Sequence, residues 1–303
     1  MTVIAKKELY DWCKIPYHEL AAHPARKIPF RLCADSAEMG EIMAQELVEE
    51  ILAHNGAGEP TRAIIPCGPT CWYKPFTDLV NRQRVSLRGL VVFHMDECLD
   101  WQGRELPRRH PFNFRAFMEE HFYAPVDPEL AVLEANRCWL NPHNVAEVTA
   151  RIWAAPLDIT YGGWGQDGHI AYNQARRHPF SQLSVEELRA ASIRIQDNNL
   201  DTVLALAQRN LGMAYQFVPP MSVTLGVKEC LSARKVRLFS DTGAWKATAL
   251  RVALFGPVTP EYPMTLLQEH PDALVTATRE TADHPVARHP EWDFTGASGC
   301  FDE

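Results

Sequence analysis

No run of about 18 consecutive apolar residues, the length a bilayer-spanning helix needs, occurs in this sequence. The first residues, MTVIAKKELYDW, carry no apolar core of the kind a secretory signal has. Basic charge is also in deficit, since 30 Lys and Arg against 38 Asp and Glu leave a formal charge of −8. With no cationic surplus to neutralise phosphates, nucleic acid and anionic membrane are poor partners, although a local basic pocket for one small anion stays open. The eight cysteines form no CxxC pair and no regular framework, so they read as reduced thiols rather than disulfides. Cys67 and Cys71 have no second ligand pair after them, and no metal or other cofactor is expected. Repeats, low-complexity tracts and linkers are absent as well. Together these absences predict a soluble, cytoplasmic protein, with a homo-oligomer left open.

What is present is enough apolar residue, 46% of 303, for one sizeable core. Residues 1–27 are weakly periodic and read as an N-terminal extension lying over the rest. Residues 28–303 read as a single α/β domain, with a polar, proline-broken tail after Arg279 expected as irregular surface. KIPFRLC predicts a first strand, and Asp35 with Glu38 starts a helix whose Met39, Ile42, Met43, Leu47 and Ile51 share one face. RAIIP (62–66), GLVVFH (89–94), LDITY (157–161), SIRI (192–195), MSVTL (221–225), KVRLFS (235–240) and ALVTAT (273–278) predict further strands. Helical patterns alternate with them at 112–122, 144–154, in DNNLDTVLALAQRN with Asp197 as N-cap, and in GAWKATALRVALFG. Short continuous apolar runs alternating with helices predict an open, mostly parallel sheet, Rossmann-like, with helices on both faces. Phe93 and Trp153 are expected in the core.

Three polar clusters come directly after predicted strands: Cys67-Gly68-Pro69-Thr70, Asp96-Glu97 and Asp167-Gly168-His169. In a parallel sheet all strand ends of this kind emerge at one edge, where substrates bind. Asp167 two residues before His169, after a turn holding Gly162, Gly163 and Gly165, suits acid–base chemistry, because a carboxylate orients the imidazole and raises its basicity. The alternative is a helix cap beside a packing histidine. Asp96 and Glu97 are adjacent and point apart, so one can face the cavity as a base while the other caps or is solvated. Lys246, at the start of a helix and beside Gly243, can hold an anion or be a solvated lysine. Trp72 and Trp164 lie in the sheet-edge loops, either lining the cavity or packing.

The segment GGWGQDGHIAYNQ resembles the signature GGxGxDGHIAFNEP of the glucosamine-6-phosphate deaminase and isomerase family. VVFHMDECL resembles that family's strand ending in NMDEY, and GAWKATALRVALFGPVTPEYPMTLLQEHP resembles its lysine-bearing helix and the segment after that helix. The resemblance covers about residues 28–280. The sister 6-phosphogluconolactonases share the fold and the DGH triplet but continue as DGHTASLFP, from which IAYNQ is further.

The resemblance implies aldose–ketose isomerisation with loss of ammonia from an amino-sugar phosphate, without a metal. It implies Asp96 as the base between C2 and C1, His169 as the ring-opening acid and base, and Asp167 as its orienting partner. It places Gln174 where the family has the glutamate that completes this relay. Lys246 would hold the phosphate with the loop around Gly68 and Thr70 and with Gly163. Two departures stand out. Pro69 removes an N–H from a loop that reads TGGTP in the family, and Gln174 can hydrogen-bond but carries no charge. Arg177, in the run Arg176-Arg177-His178, could supply the lost phosphate contact. The resemblance therefore implies an altered substrate on this scaffold, the alternatives being a lactone hydrolase and a non-catalytic sugar-phosphate-binding protein.

Overall fold

The computed structural model describes residues 4–175, 180 and 182–294. Among the described residues ten strands occur in chain order: β1 (Phe30–Cys33), β2 (Thr61–Ile65), β3 (Leu90–His94), β4 (Asp96–Leu99), β5 (Arg137–Cys138), β6 (Ile159–Gly162), β7 (Arg194–Asp197), β8 (Met221–Thr224), β9 (Lys235–Ser240) and β10 (Ala273–Thr278). Seven of them form one parallel sheet in the order β1-β10-β9-β6-β2-β3-β5. Side chains alternate across it. Ala63 and Ile65 of β2 pack with the helices Ser36–Ala57 and Tyr73–Gln83, whereas Ile64 packs on the opposite side with Val145–Trp153 and Ala247–Phe255. Both faces are thus covered, which is why every residue of β3 is buried.

The chain runs outward from β2 through β3 to β5 on one side, and from β6 through β9 to β10 on the other. The reversal lies between β2 and β6, and a crevice opens there beyond the carboxyl ends of the strands. Cys67-Gly68-Pro69-Thr70 leaves β2 into this crevice, and the glycine turn leaves β6 into it. Helix Ser36–Ala57 begins as expected: Asp35 accepts hydrogen bonds from the N–H groups of Ala37 and Glu38 at 2.9 and 3.0 Å. Gly40 on this helix matters for the site, because a Cβ there would lie 2.5 Å from the Cys71 carbonyl oxygen. The absence of a side chain lets the β2 loop lie directly on the helix.

Several expectations need correction. Two strands expected in the main alternation, β7 and β8, instead join β4 in a separate three-stranded antiparallel sheet, order β4-β8-β7. A short apolar strand looks the same in sequence whichever sheet it enters. Asp197 ends β7, and Asn199 is the residue that precedes helix Leu200–Asn210. Phe93 is fully buried, but Trp153 is 46% exposed, with the Lys228 ammonium over its ring. The segment after β10 forms two short helices, Arg279–Ala282 and Pro285–Arg288, with Thr281 and Ala282 buried.

The N-terminal residues are built into the fold. Helix Lys6–Lys14 rests on Ala247–Phe255 and Pro285–Arg288, and Leu20 is fully buried in the core. Arg251 ties these parts together. Its guanidinium is completely buried and donates to the carbonyls of Trp12, Ile15, Ala247 and Ala282 at 2.8–3.3 Å. At the opposite edge of the sheet Glu50, His54 and Asp158 come close enough to share an ion, but Arg234 and Lys235 already pair with these carboxylates.

Candidate active site

Residues far apart in the chain converge on a cavity of about 510 Å³ at the crevice. Gly68, Thr70, Asp96, Gly163, His169 and Lys246 all line it. Ordinary ligand sites fall in this size range.

The turn after β6 holds the imidazole in place. Asp167 is buried, and its Oδ1 lies 2.6 Å from His169 Nδ1. Its other oxygen, Oδ2, is buried without a hydrogen-bond partner among the described residues. Burial alone would raise the Asp167 pKa, yet the charge and hydrogen bonds of His169 outweigh it and hold the carboxyl below its ordinary value. An ionised Asp167 on Nδ1 leaves Nε2 as the ring nitrogen free to exchange a proton in the cavity. The last glycine of the turn is required by contact, since a Cβ on Gly165 would lie 2.0 Å from His169 Cε1.

Asp96 enters from the strand beside it. It opens β4, pairs with Thr224 of β8 and is half-buried on the cavity wall. Burial, then the neighbouring Glu97 charge, push its pKa from 3.8 up to about 7, against the pull of His169. Glu97 points the other way and is buried. Its carboxylate accepts N–H bonds from Cys98, Phe114 and Arg115 at 2.8–2.9 Å, anchoring the start of helix Phe114–Met118. The two adjacent carboxylates therefore divide into a cavity group and an anchor.

A cationic pole lies on the β9 side. Lys246 sits in the tight turn Ala244–Lys246, and its Nζ is 4.8 Å from the Trp245 ring centre and 5.8 Å from that of Trp164. Burial, and then the positive charge of Arg209, lower its pKa to about 7, with Asp241 opposing. An anion placed here would restore the full charge of the lysine. Arg209, on helix Leu200–Asn210, covers the Trp245 ring at 4.3 Å. Sequence reading passed over Arg209 and over Asp241 and Thr242, which line the cavity after β9. The signal available for the latter pair was their position directly after a parallel strand.

The remaining expected residues fall elsewhere. Gln174 is buried but does not line the cavity. Its Nε2 donates to Thr202 Oγ1 at 2.5 Å and its Oε1 accepts from Asn199 N at 2.8 Å, so both amide atoms serve helix Leu200–Asn210. Expected as part of the His169 relay, it is in this geometry a tie between the loop and the helix. Arg177 lies outside the described residues. Trp164 lines the cavity, whereas Trp72 is a core residue packed edge-on against Tyr73, Phe76 and Tyr161.

Fold and site together define an open parallel α/β protein whose sheet edge gathers a carboxylate, an Asp-backed histidine and a lysine on one cavity. Comparison with known proteins narrows this. No family model matches the chain. It is 32% identical over 245 residues to the glucosamine-6-phosphate deaminase of Parabacteroides distasonis, covering 78% of this chain and 84% of the relative. It is 31% identical over 261 residues to that of Pectobacterium atrosepticum, covering 82% and 89%. Among solved structures, a monomeric glucosamine-6-phosphate deaminase superposes with a TM-score of 0.69 at 20% identity, over 84% of this chain and 98% of that one. The 6-phosphogluconolactonase of Shewanella baltica superposes with a TM-score of 0.55 at 16% identity, over 82% and 97%. The chain belongs to the glucosamine-6-phosphate deaminase family.

Proposed function

We propose that the protein converts a 2-amino aldose phosphate to the ketose phosphate and ammonia. One observation carries this reading: a carboxylate tuned to about 7 and an Asp-backed histidine share one cavity with a lysine that lacks a partner carboxylate in hydrogen-bond contact among the described residues. Lys246, with Arg209, takes the phosphate. His169 moves a proton between the ring oxygen and the C1 hydroxyl, opening the sugar. Asp96 then removes the C2 proton, the electron pair forms the C1–C2 double bond, and the carbonyl oxygen takes a solvent proton to become the enol of an enolamine, a proton the amino group returns when it becomes an imine. Return of the proton from Asp96 to C1 lets the nitrogen lone pair form a C2 imine. Water adds to that imine and ammonia leaves, so one water is consumed for each ammonia released. A base near 7 is matched to this task at neutral pH.

A lactone hydrolase would use His169 to activate water and has no evident need for a tuned Asp96. Pro69 in the phosphate loop, and a glutamine where the family has glutamate, support a substrate other than glucosamine 6-phosphate itself. The test is turnover of a panel of amino-sugar phosphates, read as ammonia and ketose together, with 6-phosphogluconolactone hydrolysis in parallel. Stoichiometric ammonia and ketose is the expected result. Acid release from the lactone alone would replace the reading with the hydrolase, and thermal stabilisation by sugar phosphates without turnover would replace it with a binding protein. If glucosamine 6-phosphate is the best substrate in the panel, the altered-substrate part is wrong.

A further inference from the structure

Tyr172 is the one phenol lining the cavity among the described residues, and the chemistry above leaves it without a role. Its position is fixed from three sides. The backbone N–H donates to Thr224 Oγ1 at 3.0 Å, and Thr224 is the strand partner of Asp96. Its carbonyl accepts from the Gln196 side chain. Its hydroxyl lies 3.3 Å from Cys98 Sγ, two residues beyond Asp96. The ring runs nearly parallel to the His169 imidazole, at 12° and 6.1 Å between centres. The phenol is therefore tied to both acid–base groups, to His169 by ring contact and to the strand of Asp96 by hydrogen bonds. Burial, and then the neighbouring Cys98 and Asp96, hold its pKa well above 10, so it stays a donor at neutral pH.

The sequence shows an exchange at this contact. Cys98 stands where the resembled strand pattern NMDEY has tyrosine, and Tyr172 stands where GGxGxDGHIAFNEP has phenylalanine. The two positions touch, so a hydroxyl lost from one strand reappears from the loop opposite.

We propose that Tyr172 is a further catalytic residue, whose O–H donates a hydrogen bond to the substrate oxygen that gains negative charge when Asp96 removes the C2 proton. No proton is transferred from the phenol. The bond strengthens as charge builds on the oxygen and weakens again when that oxygen takes up its proton as the enol. A preorganised donor of this kind is worth about 10²-fold in rate. The proposal rests on the enolamine chemistry proposed above.

Its test uses binding as well as turnover. A phosphorylated sugar-chain hydroxamate has a planar head that can ionise at oxygen as the enolate does, whereas the matching alditol phosphate has a tetrahedral, un-ionised carbon at that end. Calorimetry on the full chain should show the wild type preferring the hydroxamate. Tyr172→Phe should bind the alditol phosphate unchanged, lose roughly tenfold or more of the preference, and lower kcat about 10²-fold with little change in KM. A Tyr172→Phe protein that keeps the preference overturns the proposal and leaves the general reading intact. A wild type that binds neither ligand, or both equally, overturns the enolamine reading and this proposal with it. Should Tyr172→Phe fail to fold, Cys98→Ala decides: freeing the phenol should lower the preference, and an unchanged preference overturns the role.

Discussion

At the scale of single residues, the proposed function depends on two groups whose charge is balanced near neutrality. Asp96 must be ionised to act as a base and Lys246 must be protonated to hold an anion, and both titrate at about 7. The free protein should therefore show a bell-shaped kcat/KM with both limbs near pH 7, measured on any substrate that turns over. In kcat the alkaline limb should move upward, because a bound phosphate stabilises the ammonium. Asp96→Asn should lower turnover about 10³-fold while ligand binding survives. The same change bears on stability. The native carboxyl keeps a proton between 3.8 and about 7 that the unfolded chain has released, so its contribution to stability falls as pH rises through that window. Asp96→Asn should accordingly melt higher than wild type at pH 8, the gain vanishing near pH 4. No difference at pH 8 would mean that the wild-type carboxylate is not held at a cost.

At the scale of elements, the turn after β6 and the helix Leu200–Asn210 act as a unit. Gln166 and Gln174 both reach the Thr202 hydroxyl, which joins the loop bearing His169 to the helix bearing Arg209. Restoring the family's acidic residue by Gln174→Glu removes an N–H donor from this tie. It should reduce stability by about 1 kcal/mol and change kcat less than threefold; a tenfold gain in kcat would show that position 174 does serve His169. Gly165→Ala is the sharper change. The added methyl occupies the space of the imidazole, so kcat/KM should fall about 10²-fold or more through displacement of His169. Thermal unfolding of the same variant shows whether the turn itself survives.

At the scale of the whole molecule, the two ends of the chain are fastened to the core through Arg251. Four carbonyls from three segments satisfy one buried guanidinium, with no carboxylate in direct hydrogen bond to it among the described residues. Arg251→Ala removes all four of these hydrogen bonds and empties the space of a buried side chain, and should cost about 3 kcal/mol or more. Amide hydrogen exchange should locate the loss first in Lys6–Lys14 and in the segment after β10. Uniform loss of protection across the sheet would argue instead that the ends are integral to one cooperative unit.

The sequence by itself determined the parallel α/β class, the strand ends that carry polar residues, and the Asp167–His169 turn. These are local properties: apolar period, glycine breaks and residues two apart in the chain. It also carried Asp96, Gly68, Thr70, Gly163 and Lys246 to one sheet edge, because parallel strands share a direction. Only the tertiary structure decided which of two adjacent carboxylates faces the cavity, since that depends on Glu97 finding the start of a helix 17 residues away. It decided that β4, β7 and β8 form a sheet of their own, and that Gln174 turns toward Thr202. It also brought Arg209 beside Lys246 and the Tyr172 hydroxyl against Cys98, 74 residues apart in the chain. Pairings at such separation are set by packing and by the need to satisfy buried polar groups, neither of which leaves a local pattern in the sequence.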